Sequence, residues 1–140
     1  MALFDRLFEG SLWQRTCASL LNSALQSGTY TPTLTNVANL DASTAYECQY
    51  VKLGDSVIVS GRADVNPTTT TTVTQLGISL PIASNFANPR NCGGAAHAVN
   101  IAGQGAAIYA DAINDRAEMG WNAVDVSNQA MFFVFMYRII

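Results

Sequence analysis

Two hydrophobic periods divide the chain. Over residues 1–27, apolar side chains recur at helical spacing. Leu3, Phe4, Leu7 and Phe8 come first; after Gly10 the stripe continues with Trp13, Cys17, Leu20, Leu21 and Ala24, with Leu25 beside it. Ser11 and Gln14 form the S-x-x-Q pattern of a capping box, so a second helix is expected to start there. Gly28 supplies a stop. Helices of about 12–15 residues are marginal alone in water. The apolar stripe must therefore dock, either on the chain's own β-domain or as an anchor or trimer stem.

From Gly28 onward the period becomes two, the signature of strands. A first strand at 29–31 runs into Pro32, which marks an edge. In 44–52, Tyr46, Cys48 and Tyr50 share one face, and Gly54-Asp55 makes the turn. In 56–65, Val57, Val59, Gly61, Ala63 and Val65 face in, while Ser60, Arg62 and Asp64 face out. Further strands are expected over 76–80, 95–102, 105–113, 116–123 and 129–139. Residues 36–43 and Asn85–Gly94 read as loops, and Asn66–Thr72 as a polar connection whose Thr run is either loop or extended edge. About eight strands with a turn signal every 8–12 residues predict an all-β fold. The expectation is a jelly-roll-like antiparallel β-sandwich with an N-terminal helical extension. The segments are a helical anchor, 1–27, and a β-domain, 28–140.

The last strand changes the picture. Met131, Phe133, Phe135 and Tyr137 lie on one face; Ala130, Phe132, Val134 and Met136 lie on the other. A half-solvated antiparallel strand alternates apolar with polar, and this one has no polar face before Arg138. One face is expected in the core and the other against a neighbouring subunit or the helix. Phe132, Val134 and Met136 are taken as the inter-subunit contacts. Composition agrees: 49% of residues are apolar and only 12% charged, about half the charge of an ordinary soluble domain.

Net charge is −3, with one Lys and six Arg residues scattered singly. That leaves no basic stripe for nucleic acid. No apolar run is long enough to insert in a membrane, and none near Met1 has the form of a signal peptide. Cys17, Cys48 and Cys92 match no zinc or redox spacing and are expected reduced. Cys92 and His97, the single histidine, are too few ligands for a metal site. Asp111, Asp115 and Glu118 flank one hairpin and raise the thought of glycoside hydrolysis; solvated or turn-forming carboxylates explain them more simply. No cofactor and no enzyme activity are expected.

Residues 28–140 resemble the C-terminal β-domain of tailed-phage fibres and related virion appendages. The likeness rests on an ordered series of stretches: 28–34 (GTYTPTL), 45–50 (AYECQY), 57–65 (VIVSGRADV), 76–86 (LGISLPIASNF), 103–111 (GQGAAIYAD) and 132–137 (FFVFMY). It implies a virion structural protein, made in the bacterial host cytoplasm and working as a homotrimer. Only 27 residues precede the domain, and as helix they span about 40 Å. A capsid decoration (cement) or short head-fibre protein is therefore expected. Leu3, Phe4, Leu7, Phe8 and Trp13 would anchor it on phage capsid or tail proteins. The alternative is a tail-fibre or baseplate tip whose loops, Thr68–Thr72 and Asn85–Gly94, touch a host receptor or surface glycan.

Overall fold

Alternating apolar and polar residues make strands because successive side chains leave a pleated backbone on opposite faces. In the computed structural model, which describes Ser19 and residues 24–140, that pattern yields ten strands among the described residues. They are β1 (Leu25–Tyr30), β2 (Leu34–Ala38), β3 (Leu40–Ala45), β4 (Cys48–Leu53), β5 (Ser56–Pro67), β6 (Val73–Ile78), β7 (Cys92–Ala98), β8 (Gly105–Asp111), β9 (Arg116–Asn122) and β10 (Gln129–Arg138). A single 3-10 turn, Pro89–Asn91, leads into β7.

One ladder path joins them in the order β1-β4-β5-β10-β7-β8-β9-β6-β2, with β3 also paired to β5. Every pairing is antiparallel. Strands β7, β8 and β9 form a meander, and β10 returns beside β7, which is a Greek key. β4 covers the first half of β5 and β3 the second half. β2 ends the path against β6, yet only Asn39 separates it from β3. The chain thus ties the two halves of the path together, and the faces of the expected sandwich are halves of one curled sheet.

Inside the curl lies a single core. β5 contributes Val57, Val59, Ala63 and Val65; β10 contributes Met131, Phe133, Phe135 and Tyr137; β6, β8 and β9 add Leu76, Ile78, Ile108, Met119 and Trp121. On β5 these are the inward positions that the period-two pattern assigned; on β10 they select one of its two apolar faces. Phe133, Phe135 and Tyr137 stack along β10, and Phe86 meets Tyr137 edge-on. Each fully buried aromatic of this kind contributes about 1.5–3 kcal/mol through surface removed from water.

Three expectations need correction. First, the helical segment does not run to residue 27. Leu25, Gln26 and Ser27 pair as strand with Leu53, Lys52 and Val51. Leu25 fits either period, and the available edge of β4 decides the matter. The rest of the predicted helix, apart from Ser19 and Ala24, lies outside the described residues. Second, 36–43 is not a loop but the end of β2 and most of β3. Asn39 sits at a left-handed φ of 55° and bends the chain between them. Third, Gly93-Gly94 does not break structure but belongs to β7. A side chain on Gly94 would run into the Val134 carbonyl and Phe135 of β10, so glycine is what lets the two strands lie this close.

Candidate interaction face

The outward positions of β10 are Phe132, Val134 and Met136, which are 47%, 50% and 55% exposed. The structure thus settles which side of the last strand faces out. Register sets Met136 beside Ile58 of β5, and Ile58 beside Val51 of β4. Leu53 and Leu25 adjoin across β4 and β1. All four of these neighbours are exposed as well. Directly opposed side chains in antiparallel strands lie about 4.5–5.5 Å apart, so these residues form one apolar strip across four strands. Monomeric soluble proteins rarely expose a contiguous apolar patch beyond a few hundred Å².

At Phe132 the strip turns polar. Register places this residue between Arg62 and His97. The Arg62 guanidinium lies 5.5 Å from the centre of the Phe132 ring and 4.7 Å from that of Tyr46. Arg62 Nε and Nη2 donate to Asp64 at 2.8 and 2.9 Å, and the Tyr46 hydroxyl donates to the same carboxylate at 3.0 Å. The Arg62 hydrogen bonds hold the Asp64 carboxyl below the usual range, against the opposing effect of burial. Two shallow depressions flank the Phe132 ring. One, about 380 Å³, is bordered by Glu47, Gln49, Ser60 and Arg62; the other, about 340 Å³, by Ala95 and His97. A third, about 300 Å³, lies at the Met136 end beside Arg90 and Arg138.

The three carboxylates considered for chemistry do not converge; each is engaged separately. Asp111 accepts from Asn114 and, at 2.9 Å, from Arg116. Asp115 accepts the backbone N–H groups of Ser84 and Phe86 at 3.1 and 2.9 Å, pinning the 84–86 loop. Glu118 accepts from Tyr109 at 2.8 Å and Gln75 at 2.6 Å. Burial alone would raise the Asp111 and Asp115 carboxyls, but these hydrogen bonds hold both below their ordinary value. Burial pushes the Tyr109 hydroxyl up.

Cys92 and His97 share β7 but point to opposite faces, being an odd number of positions apart. Cys92 is in the core and His97 is exposed, so the pair cannot meet on one metal. Cys48 and Cys92 are free and buried, and burial pushes the Cys92 thiol up to about 12. No group of three potential ligands occurs among the described residues. No helix among them is long and apolar enough to cross a membrane. The Thr68–Thr72 turn is braced by Asn39, which bonds Thr68, Thr69 and Thr74. Leu3, Phe4, Leu7, Phe8 and Trp13 lie outside the described residues.

Sequence reasoning showed that β10 has two apolar faces, but neither which one is outward nor its partners on the neighbouring strands. Val51, Leu53 and Ile58 already stood on the outward side of their strands. Three apolar residues on the solvent positions of adjacent strands were the available signal. The Tyr46–Arg62–Phe132 stack had no local signal, because its members come from three distant segments.

The described residues therefore define an all-β antiparallel domain with a curled sheet, a Greek key and an apolar outer strip. Among solved structures the chain is similar to the reovirus attachment protein sigma1, crystallised in complex with alpha-2,3-sialyllactose. The TM-score is 0.51 at 14% identity, over 83% of this chain and 67% of that one. At this identity the likeness is one of fold: a viral attachment-fibre protein carries a similar β-domain. No family model and no curated protein matches the chain.

Proposed function

We propose that the chain is a non-enzymatic structural protein of a virion surface, a fibre-type β-domain that works as a homotrimer and meets a host glycan. The observation that carries the assembly is the exposed strip of Val134, Met136, Ile58 and Val51, which stops short of Phe132. Its occupant is a second copy of the chain: the strip is continuous and apolar, and a low-charge chain gains most by covering it with its own kind. Burying it removes apolar surface from water at roughly 25 cal/mol per Å². The similarity in fold to a viral attachment protein favours the fibre role, and the sialyllactose in that structure favours a glycan as the thing touched.

The resemblance to tailed-phage appendages favours a phage particle as its home. A second reading, shell decoration, is favoured by the helical apolar pattern of Leu3, Phe4, Leu7, Phe8 and Trp13, which suits a short clamp on capsid subunits. A protein that binds only the assembled shell would stabilise it by mass action. Counting copies per purified particle by quantitative mass spectrometry, with antibody-gold labelling, separates the two. The fibre reading expects label at discrete appendages and a copy number far below that of the major shell protein. Label spread over the whole shell at near-stoichiometric copy number would overturn it in favour of decoration.

A further inference from the structure

The strip ends at Phe132 in a group of side chains of a different kind. Arg62, Phe132 and His97 lie in register across β5, β10 and β7. Two strand spacings separate the outer members, about 10 Å. The Phe132 ring stands as a ridge, with the depression of Glu47, Gln49, Ser60 and Arg62 on one side and that of Ala95 and His97 on the other. Tyr46, also exposed, closes the far end through its contact with Arg62.

We propose that this groove binds an uncharged, hydroxyl-rich oligosaccharide lying across β5, β10 and β7, with a sugar ring against Phe132. The inference rests on the glycan-binding reading given above. A sugar offers an apolar C–H face and a rim of hydroxyls. The groove offers an exposed aromatic face flanked by Arg62, which donates, Glu47, which accepts, and Gln49 and His97, which can do both. Arg62 is held in place: two of its N–H groups are fixed by Asp64 and its plane lies near two rings. Its remaining N–H groups are donors whose orientation is already set, which lowers the entropy lost on binding.

Charge decides against an acidic sugar. The single guanidinium is already paired with Asp64, and Glu47 borders the same depression. A ligand carboxylate would meet one neutralised cation and one free carboxylate. Hydroxyl groups suit both. The groove thus differs in expected ligand charge from the sialylated sugar held by the structurally similar protein.

The test uses the full chain on a surface array of neutral oligosaccharides of galactose, glucose and N-acetylglucosamine, including lactose, beside alpha-2,3-sialyllactose. Light scattering is run on the same samples. The expected result is retention of at least one neutral oligosaccharide at millimolar concentration, with sialyllactose bound no more tightly than lactose. Phe132→Ala is expected to weaken that binding by at least about tenfold, and Gln49→Ala to weaken it less, with melting temperatures unchanged in both. Retention of no neutral sugar, preference for sialyllactose, or a Phe132→Ala variant that binds like the parent overturns the groove. A monomer that binds sugar refutes the trimer and leaves the groove standing; a trimer that binds none does the reverse.

Discussion

Asp115 shows how a single carboxylate can serve the fold rather than chemistry. It sits at a left-handed φ of 46° in the β8–β9 turn and receives two backbone N–H groups from the 84–86 loop. Its folded pKa, like that of Asp111, lies below the ordinary value. The stability these groups add is therefore complete above the unfolded carboxylate pKa of about 4 and is lost as pH falls through the lower folded value. Thermal melts are expected to fall as pH drops below about 4, and less steeply in Asp115→Asn than in the parent. In the core, Phe135→Ala removes a fully buried ring stacked between Phe133 and Tyr137. Urea unfolding is expected to show a loss of about 3–5 kcal/mol. Inward positions were legible in sequence on β5, where Ser60, Arg62 and Asp64 mark the outer face; on β10 both faces are apolar, and alternation alone did not assign Phe135 to the core. Asp115 was legible as a turn residue; the loop it holds was not, because that partner comes from far along the chain.

At the scale of elements, legibility followed side-chain alternation. β5, β9 and β10 alternate clearly and were anticipated; β6 was anticipated only from Leu76 on, and it ends at Ile78 rather than Leu80. β2 and β3 were missed because in LTNVA and LDASTA the apolar residues fall on both faces and do not alternate with polar ones. Backbone ladders to β6 and β5 make them strands, and a hydrophobic pattern cannot report a ladder. Asn39 joins them: its amide donates to the Thr69 carbonyl at 2.8 Å and to the Thr74 hydroxyl at 2.7 Å. Its Oδ1 accepts from Thr68 and from the Thr69 N–H. Asn39→Ala breaks this brace and places an unfavourable residue at a left-handed φ. Differential scanning calorimetry is expected to show a loss of about 1–3 kcal/mol. The β1 boundary was misplaced for the opposite reason: Leu25 satisfies a helical stripe and a strand equally well, and only the open edge of β4 selects the strand.

For the molecule as a whole, the deciding feature is the pairing of a complete core with an uncovered apolar strip. Since Met131, Phe133, Phe135 and Tyr137 already fill the interior, Phe132, Val134 and Met136 are not needed to fold the domain. Met136→Asp should therefore leave the fold and its melting temperature nearly intact while opposing self-association, since burying an unpaired carboxylate is costly. Sequence alone showed that the last strand had two apolar faces. It could not show which face was outward, because both satisfy the same alternation and only the sheet order distinguishes them. Multi-angle light scattering of the full chain at micromolar concentration tests self-association through this strip most directly. The expected mass is three times the 14.9 kDa of one chain, falling to that of one chain in Met136→Asp. A parent protein that scatters as a single chain would contradict it.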